Sequence, residues 1–518
     1  KAQIVTSGER MRTAYTSAAL AVTLSLSGMS AVAQNAADAC AALATLALPD
    51  LTSIEAEAVA PGPFELPAGP AGPATTAMLP AHCRVLGVVA PTIRFEVWLP
   101  DRSAWNGRFE AVGGGGFAGV ISYGAMAGAL QGGYATASTD TGHIAPDLEW
   151  LGNAGRLRDY GYRAINEMTS KAQAVIERYY DRSPDYSYFN GCSTGGRQGL
   201  MQAQRFPNDY DGIVTGAPVN HFVETHFTQL WVALAAKPVS DESILSAEDL
   251  ARVNDAVLAQ CDTIDGVEDG VIEDPRVCKF DPAVLQCSGS QAGGCLDEAQ
   301  VTALRKIYSG PVSPTGEALF PGLAPGGETT WSLVTSPGPA QIPNEYFARS
   351  VFKDSNWDWR TFDFAEDIDL ARRLTGEVLD ATNPDLSAFR DGGGKLILYH
   401  GWNDQVIFPQ GTIDYYERVE AALTAKPSTT NPETSDFFRL FMVPGMTHCR
   451  GGTGTDQFNA QAAIEAWVER GIAPDRIEAN RREDGAVTRT RPLCPYPETA
   501  HYDGSGDMND TANFVCKL

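Results

Sequence analysis

The sequence has few basic residues for its length: 39 lysines and arginines stand against 64 aspartates and glutamates in 518 residues, a formal net charge of −25. This negative charge repels phosphate backbones and anionic lipid surfaces, so we expect neither nucleic acid nor a membrane as a partner. No Cys-x-x-Cys pair occurs, and the spacing typical of zinc sites is therefore missing. The sequence also has no internal repeat and no long low-complexity linker. The composition predicts an ordinary globular protein.

Long hydrophobic runs are absent, apart from a short one near the start. Residues 11–33 combine an arginine after Met11, an apolar run over residues 18–26 and small residues up to Ala33. This layout is typical of a secretory signal peptide, and the apolar run is too short for a membrane anchor. We expect cleavage after Ala33 and a soluble mature protein that is secreted or periplasmic.

Export favours disulfides over free thiols for the ten cysteines. Three pairs are close enough in sequence to close local loops, namely Cys261 with Cys278, Cys287 with Cys295, and Cys494 with Cys516. The spacing leaves the pairing of four others open, and these are Cys40, Cys83, Cys192 and Cys449.

Short apolar runs alternate with helix-like stretches from about Arg94 to Asn220, a pattern typical of a mostly parallel α/β sheet. From residue 220 to 390 the chain is richer in turns and contains four cysteines and an acidic loop. Buried-strand patterns then return in "GGGKLILYHGWND" and "FFRLFMVPGMTHC". We predict an α/β core formed by residues 34–219 and 391–518, with an inserted lid domain at 220–390.

The stretch "NGCSTGGRQGL" places Ser193 in a Gly-x-Ser-x-Gly pattern between a predicted strand and a predicted helix. In an α/β-hydrolase this turn exposes a nucleophilic serine, and the acid and then the histidine of the triad follow along the chain. Asp404 comes after the buried strand 396–399, and His448 after the strand "RLFMV", whereas His501 lies in a polar tail. We predict Ser193 as nucleophile, His448 as its base and Asp404 as the acid that orients the imidazole.

Cysteines stand directly beside two of these residues, since Cys192 precedes Ser193 and Cys449 follows His448. A disulfide between them would hold their Cα atoms about 5.5 Å apart and would tie a nucleophile to its base. The alternative is that both cysteines are structural and that their neighbours are incidental.

Two backbone amides are candidates for an oxyanion hole. Thr194 follows the nucleophile directly, and Gly116 ends the glycine run of "VGGGGFAG" after an early strand. The alternative, a nucleotide-binding loop, is not favoured, because the run lacks the spacing, the lysine and the hydroxyl residue of a P-loop.

Five motifs resemble the tannase and feruloyl esterase family, which includes bacterial mono(2-hydroxyethyl) terephthalate hydrolases: "GCSTGGRQGL", "YHGWND", "PGMTHC", "WNGRFEAVGGGG" and "CDTIDGVEDGVI". The resemblance implies an α/β-hydrolase core, a lid and a secreted esterase activity. The site residues that it implies are the triad Ser193, Asp404 and His448, the oxyanion glycine Gly116, a catalytic disulfide between Cys192 and Cys449, and a pairing of Cys40 with Cys83.

The acidic loop from Cys261 to Glu273 is similar to the calcium site in the lid of that family. The implied ligands are the carboxylates of Asp262, Asp265 and Asp269 and the backbone carbonyls of Val267 and Val271. Several hard oxygens on a tight glycine-containing loop suit Ca²⁺, although the spacing departs from that of an EF-hand. We expect a structural calcium ion, with a solvated acidic turn as the alternative.

Substrate choice depends on residues 329–352, which offer aromatic surface to a planar acyl group. In the terephthalate-monoester hydrolases of the family, the corresponding lid carries an arginine that pairs with the free carboxylate. Ile342 occupies that place here, and Arg349 lies several residues further on. Ile407 and Phe408 are equally compatible with a pocket and with the core.

We therefore predict a serine carboxylesterase for aromatic esters of the feruloyl or galloyl type, with a terephthalate-monoester hydrolase as the alternative. The alternative from another class is a secreted, calcium-stabilised binding protein without turnover. Such a protein would explain the disulfides and the acidic loop, but not a serine, an aspartate and a histidine in the required order.

Overall fold

The computed structural model describes residues 36–67, 74–288, 294–424 and 433–518. The signal peptide predicted at residues 11–33 lies outside these ranges. Inside them, every helix is too short or too polar to cross a lipid bilayer.

The strands supply a large central sheet and several small ones. They are β1 (Leu51–Val59), β2 (Gly62–Leu66), β3 (Thr75–Leu79), β4 (His82–Val89), β5 (Ile93–Pro100), β6 (Arg108–Val112), β7 (Ala135–Thr139), β8 (Tyr186–Cys192), β9 (Gly212–Gly216), β10 (Lys395–Gly401), β11 (Phe438–Val443), β12 (Gln457–Phe458), β13 (Ile477–Glu483), β14 (Ala486–Leu493), β15 (Thr499–Tyr502) and β16 (Phe514–Lys517).

The helices fall mainly between the strands of the central sheet. They are α1 (helical over residues 36–41), α2 (Tyr123–Gln131), α3 (Ala154–Arg158), α4 (Ala164–Tyr180), α5 (Thr194–Arg205), α6 (Phe222–Ala236), α7 (Ala247–Cys261), α8 (Glu298–Ser309), α9 (Ser332–Thr335), α10 (Gln341–Glu345), α11 (Asp367–Ala371), α12 (Glu377–Leu379), α13 (Ser387–Asp391), α14 (Pro409–Thr424) and α15 (Ala460–Arg470).

The central sheet has nine strands in the order β1-β4-β5-β7-β6-β8-β9-β10-β11. Six neighbouring strands are mutually parallel, namely β7, β6, β8, β9, β10 and β11. The strands β5, β4 and β1 extend the sheet in antiparallel pairing. Every residue of β7 and β9 is buried, because helices cover both faces of a parallel sheet. The mostly parallel α/β fold predicted from the sequence is confirmed.

Strands β1 to β4 lie before Arg94, in a part of the chain for which the sequence pattern predicted no strand. Their burial explains the difference: β1 exposes much of its length, and β4 alternates between buried and half-buried residues. An edge of a sheet with one solvated face has a weaker apolar signal than the central strands.

A long segment separates β9 from β10, and it contains the insertion predicted from the change in sequence pattern. In its described residues it consists of short and medium helices, α6 to α13, and contributes no strand to the sheets. Leu250, Leu304 and Trp331 belong to its apolar cluster. Both α7 and α8 begin with a capping box, at Ser246 and Asp297, which marks their starts locally. That this insertion acts as a lid stays a prediction.

All five disulfides form as predicted. The structure joins Cys261 to Cys278, Cys287 to Cys295, Cys494 to Cys516, Cys40 to Cys83 and Cys192 to Cys449.

Candidate active site

The parallel strands end at one edge of the sheet, and this edge collects the predicted site. Ser193 follows β8, Asp404 lies three residues after β10, and His448 lies five residues after β11. Since β8, β9, β10 and β11 are neighbours in the sheet, residues far apart in sequence meet there. This is the edge at which open α/β sheets bind ligands.

Ser193 occupies the turn from β8 into α5 and has φ 62° and ψ −122°. Its amide donates to the Gly216 carbonyl at 2.9 Å, so the end of β9 holds the turn in place. The flanking glycines permit the close approach: a Cβ at Gly191 would lie 2.6 Å from the Gly195 carbonyl carbon. A side chain held at positive φ on such a turn is the geometry of a nucleophile elbow.

His448 and Asp404 form a hydrogen-bonded pair, in which His448 Nδ1 donates to Asp404 Oδ2 at 2.7 Å. The other carboxylate oxygen, Oδ1, accepts the amides of Val406 and Ile407, each at 2.9 Å. Because a carboxylate only accepts, the proton of a neutral His448 sits on Nδ1, and Nε2 is left free as a base.

The Cys192–Cys449 disulfide links the turn that carries Ser193 to the loop that carries His448, with their Cα atoms 6.1 Å apart. Ser193 and His448 are the chain neighbours of these cysteines, so their backbones are held side by side. Cys449 also has a positive φ, 64°, a conformation that few non-glycine residues adopt. The three predicted triad residues are therefore brought together by strand ends and one covalent bond.

The electrostatics of the pair favour an ionised carboxylate. Burial raises the pKa of Asp404, but the charge of His448 and the hydrogen bonds that the carboxylate accepts outweigh it, so the pKa falls below its usual range. Burial lowers the pKa of His448 and the Asp404 carboxylate raises it, and the net shift is upward. An ionised carboxylate can hold the imidazole and stabilise its protonated form.

The glycine run after β6 packs against the start of α5. Thr194 Oγ1 donates to the Gly116 carbonyl at 2.6 Å, and the Tyr160 hydroxyl donates to the same carbonyl at 2.9 Å. Gly116 has φ 56°, and its own amide donates to no acceptor in the part of the chain that the structure describes. The Thr194 amide is at the first position of α5, where helix amides have no intrahelical partner. One of these two amides thus belongs to the glycine run and the other to the residue after Ser193, and the Thr194 hydroxyl links the two segments.

Residues of the insertion reach this site. A methyl group placed on Gly116 would lie 3.7 Å from Ile342 Cδ1, so Ile342 borders the glycine run. Arg349 is held elsewhere, with hydrogen bonds to Glu345 and Glu149 at 2.6 Å each. Ile407 and Phe408 are both buried: Ile407 packs in a cluster with Ala118, and Phe408 in the core of the insertion.

The acidic loop surrounds a cavity of about 20 Å³, close to the space that one water molecule or ion needs. Of the predicted ligands, Asp265, Val267, Asp269 and Val271 line it, and Glu273 joins them. Asp262 does not line the cavity, because its carboxylate accepts the amides of residues 269, 270 and 271.

Charge around this cavity is only partly balanced. Arg491 donates to Asp269 Oδ2 at 2.6 Å. Burial raises the pKa of Glu273 to about 8 and, together with neighbouring carboxylates, that of Asp265 to about 6. In the described chain, no three His, Cys, Asp or Glu side chains converge as ready metal ligands. Arg489 and Arg491 also line the cavity, and both pair with Asp269. The carboxylate and carbonyl oxygens of the lining are nevertheless ligands that suit a hard cation, whose charge would favour the ionised carboxylates.

Sequence reasoning missed three residues of these two regions. Glu273 was left out of the ligand set, although it ends the acidic loop. His400 donates to Asp404 and was not identified, although it lies in "YHGWND", four residues before the aspartate. Tyr160 had no local signal at all, because its contact with Gly116 spans 44 positions. His501, which was not predicted as the catalytic base, lies in β15, and its Nε2 forms a hydrogen bond with the Thr499 hydroxyl.

Comparisons with known proteins agree on one family. A family profile described as "Tannase and feruloyl esterase" matches residues 78–517. The chain is 41% identical to an uncharacterized esterase of Xanthomonas campestris pv. campestris, over 95% of this chain and 94% of the relative. It is 38% identical to the mono(2-hydroxyethyl) terephthalate hydrolase of Piscinibacter sakaiensis, over 86% and 87%. The crystal structure of feruloyl esterase B from Aspergillus oryzae superimposes with a TM-score of 0.83 at 29% identity, covering 93% and 100%.

Proposed function

The chain belongs to the tannase and feruloyl esterase family of carboxylic ester hydrolases, and we propose that it is a secreted serine esterase for phenolic esters of the feruloyl or galloyl type. The single observation that carries the proposal is the linked pair at the sheet edge: His448 donates to Asp404, and its neighbour Cys449 is bonded to the neighbour of Ser193. Secretion is supported by the five disulfides.

In the proposed mechanism, Ser193 Oγ attacks the acyl carbon of the ester while His448 Nε2 takes the hydroxyl proton. The ester carbonyl electrons move onto its oxygen, which the amides of Gly116 and Thr194 stabilise. The C–O bond to the alcohol then breaks, and His448 returns the proton to the leaving oxygen. Water, deprotonated by His448, releases the acid from the acyl-enzyme, and Asp404 holds the imidazole in both halves.

The surroundings of the site support an acyl group without a second carboxylate. Ile342 presents an apolar side chain beside Gly116, where a cation would be needed to pair with the free acid of a terephthalate monoester. Arg349 already forms ion pairs with Glu345 and Glu149, and these pairs direct its guanidinium to the two carboxylates. The relative named mono(2-hydroxyethyl) terephthalate hydrolase keeps that substrate as the second candidate.

The test compares initial rates on methyl ferulate, methyl gallate and mono(2-hydroxyethyl) terephthalate, with Ser193→Ala as the control. We expect turnover of a phenolic ester at least tenfold above that of the terephthalate ester, and loss of about 10⁴-fold or more in the variant. Preference for the terephthalate ester would overturn the substrate assignment. A folded protein that neither turns over an ester nor reacts with a fluorophosphonate probe at Ser193 would be the binding protein instead.

For the acidic loop, we propose a structural Ca²⁺ ion, whose binding would draw the carboxylates of Asp265, Asp269 and Glu273 together beside the carbonyls of Val267 and Val271. The lining of the small cavity supports this set, and the Cys261–Cys278 disulfide closes the loop behind it. Asp262 would support the site from behind, since its carboxylate organises the loop amides. Bound there, the ion would supply positive charge to the loop and take no part in the proton transfers.

A further inference from the structure

A second histidine contacts the proposed triad. His400 lies on β10 and is fully buried, with 0% of its surface exposed. Its Nε2 is 3.1 Å from Asp404 Oδ2, the same oxygen that accepts His448 Nδ1 at 2.7 Å. On the other side of the ring, His400 Nδ1 is 2.8 Å from Thr412 Oγ1 on α14.

These contacts indicate which ring nitrogen of a neutral His400 carries the hydrogen. Because the ionised carboxylate of Asp404 can only accept, the hydrogen between them belongs to His400 Nε2. In the neutral ring Nδ1 is then an acceptor, and the Thr412 hydroxyl donates to it. Thr412 is itself buried, so each polar atom of the His400 ring has one partner and a defined role.

We propose that His400 is a positioning residue of the esterase site: its Nε2–H holds Asp404 Oδ2 in place and limits the negative charge that this oxygen offers to His448. The inference rests on the proposed function, because it assigns His400 to the triad of that reaction. His400 touches neither the serine nor the substrate in this role and acts through Asp404.

Burial and the Asp404 carboxylate act in opposite directions on the pKa of His448. In the described chain, the charged groups with the largest effects on the pKa of Asp404 are His448 and His400. A donor that shares Oδ2 weakens the hold of the carboxylate on protonated His448, so it keeps more of the base in its free form at a given pH. Removing that donor strengthens the hold.

The experiment measures kcat/KM against pH with p-nitrophenyl acetate for wild type, His400→Phe and His400→Gln. Phenylalanine keeps a ring of similar size but has no donor, whereas the glutamine amide can reach Asp404 with an N–H group. We expect the acid limb of the kcat/KM profile of His400→Phe to move to higher pH by about one unit, because the pKa of His448 rises. We also expect kcat at the optimum to fall about tenfold, because the carboxylate loses a positioning contact. His400→Gln should return the limb most of the way to wild type.

Each outcome is decisive if folding is checked by circular dichroism and the active serine is titrated with a fluorophosphonate. A limb that stays in place in His400→Phe, or moves down, overturns the inference, even if kcat falls. If the phenylalanine variant does not fold, His400→Leu replaces it as the variant without a donor. An acid limb raised in the leucine variant but not in the glutamine variant supports the donor role, and the same limb in both contradicts it. A wild type without Ser193-dependent turnover would defeat the proposed function itself, which is a separate result.

Discussion

Two regions of this protein bury carboxylates next to a disulfide, and they treat the negative charge in opposite ways. At the sheet edge, Asp404 accepts two backbone amides and two imidazoles, and its pKa falls. In the acidic loop, Glu273 accepts one amide, from Ala500, and burial raises its pKa. The first carboxylate pairs with two imidazoles, whereas Arg491 only partly offsets the effect of burial on the second. The proposed catalytic edge is thus complete without a ligand, whereas the loop would be completed by the proposed cation.

The largest effect on kcat is expected when the Cys192–Cys449 disulfide is removed from the proposed catalytic edge. The double variant Cys192→Ser with Cys449→Ser should lower kcat by about 100-fold, because the serine and the histidine are no longer held in register. It should also lower the free energy of unfolding by roughly 2–5 kcal/mol. Active-site titration and thermal unfolding measure the two effects.

The matched control is Cys40→Ser with Cys83→Ser, a buried disulfide that joins α1 to β4 away from the site. This variant should lose stability in the same range of about 2–5 kcal/mol and keep the wild-type kcat at 25 °C. Equal loss of kcat in both variants would mean that the Cys192–Cys449 bond acts through stability alone.

A second test sharpens the claim that the catalytic edge positions its own donors. Tyr160→Phe and Thr194→Val each remove one hydroxyl from the Gly116 carbonyl and leave the backbone amides in place. We expect kcat to fall by about tenfold in each, with KM nearly unchanged, because the oxyanion donors are less well oriented. Thr194→Ser keeps the hydroxyl and should retain most of the rate. A valine variant as fast as the serine variant would contradict this arrangement.

The smallest effect on activity is expected at the acidic loop. At a Ca²⁺ concentration 100 times Kd, the ion should stabilise the fold by about 3 kcal/mol, and a chelator should remove that stabilisation. The kcat at 25 °C should not change, since the loop takes no part in proton transfer. Thermal unfolding with calcium and with a chelator measures the difference.

The variant that tests the ligand set is Asp265→Asn, which keeps the shape of the side chain and removes its charge. It should abolish the response of the unfolding temperature to calcium. The control Asp484→Asn alters an exposed residue in the turn between β13 and β14, which does not line the cavity, and should respond as wild type does. If Asp265→Asn responds to calcium like the control, this loop is not the binding site.

The amino-acid sequence alone correctly predicted the fold class and all three local disulfides. It also supplied the predictions of an inserted domain and of the members of the proposed triad. It could do so because each signal is local: a glycine-flanked serine between a strand and a helix, and an acid and a base just past buried strands. The family resemblance added the pairing of Cys40 with Cys83. Signals of this kind can be recognised in the sequence alone, because residues that are adjacent in the chain remain adjacent in any fold.

Which donors hydrogen-bond to the same acceptor oxygen depends on tertiary packing and could not be predicted from the sequence. The Gly116 carbonyl accepts hydrogen bonds from the hydroxyls of Tyr160 and Thr194, which are 44 and 78 positions away in sequence. The amide that donates to Glu273 belongs to Ala500, 227 positions away. His400 is close to Asp404 in sequence, yet its role depends on the shared oxygen and on Thr412, which a strand and a helix bring together. Such contacts depend on the packing of whole elements, and packing is a property of the folded chain rather than of any short stretch of it.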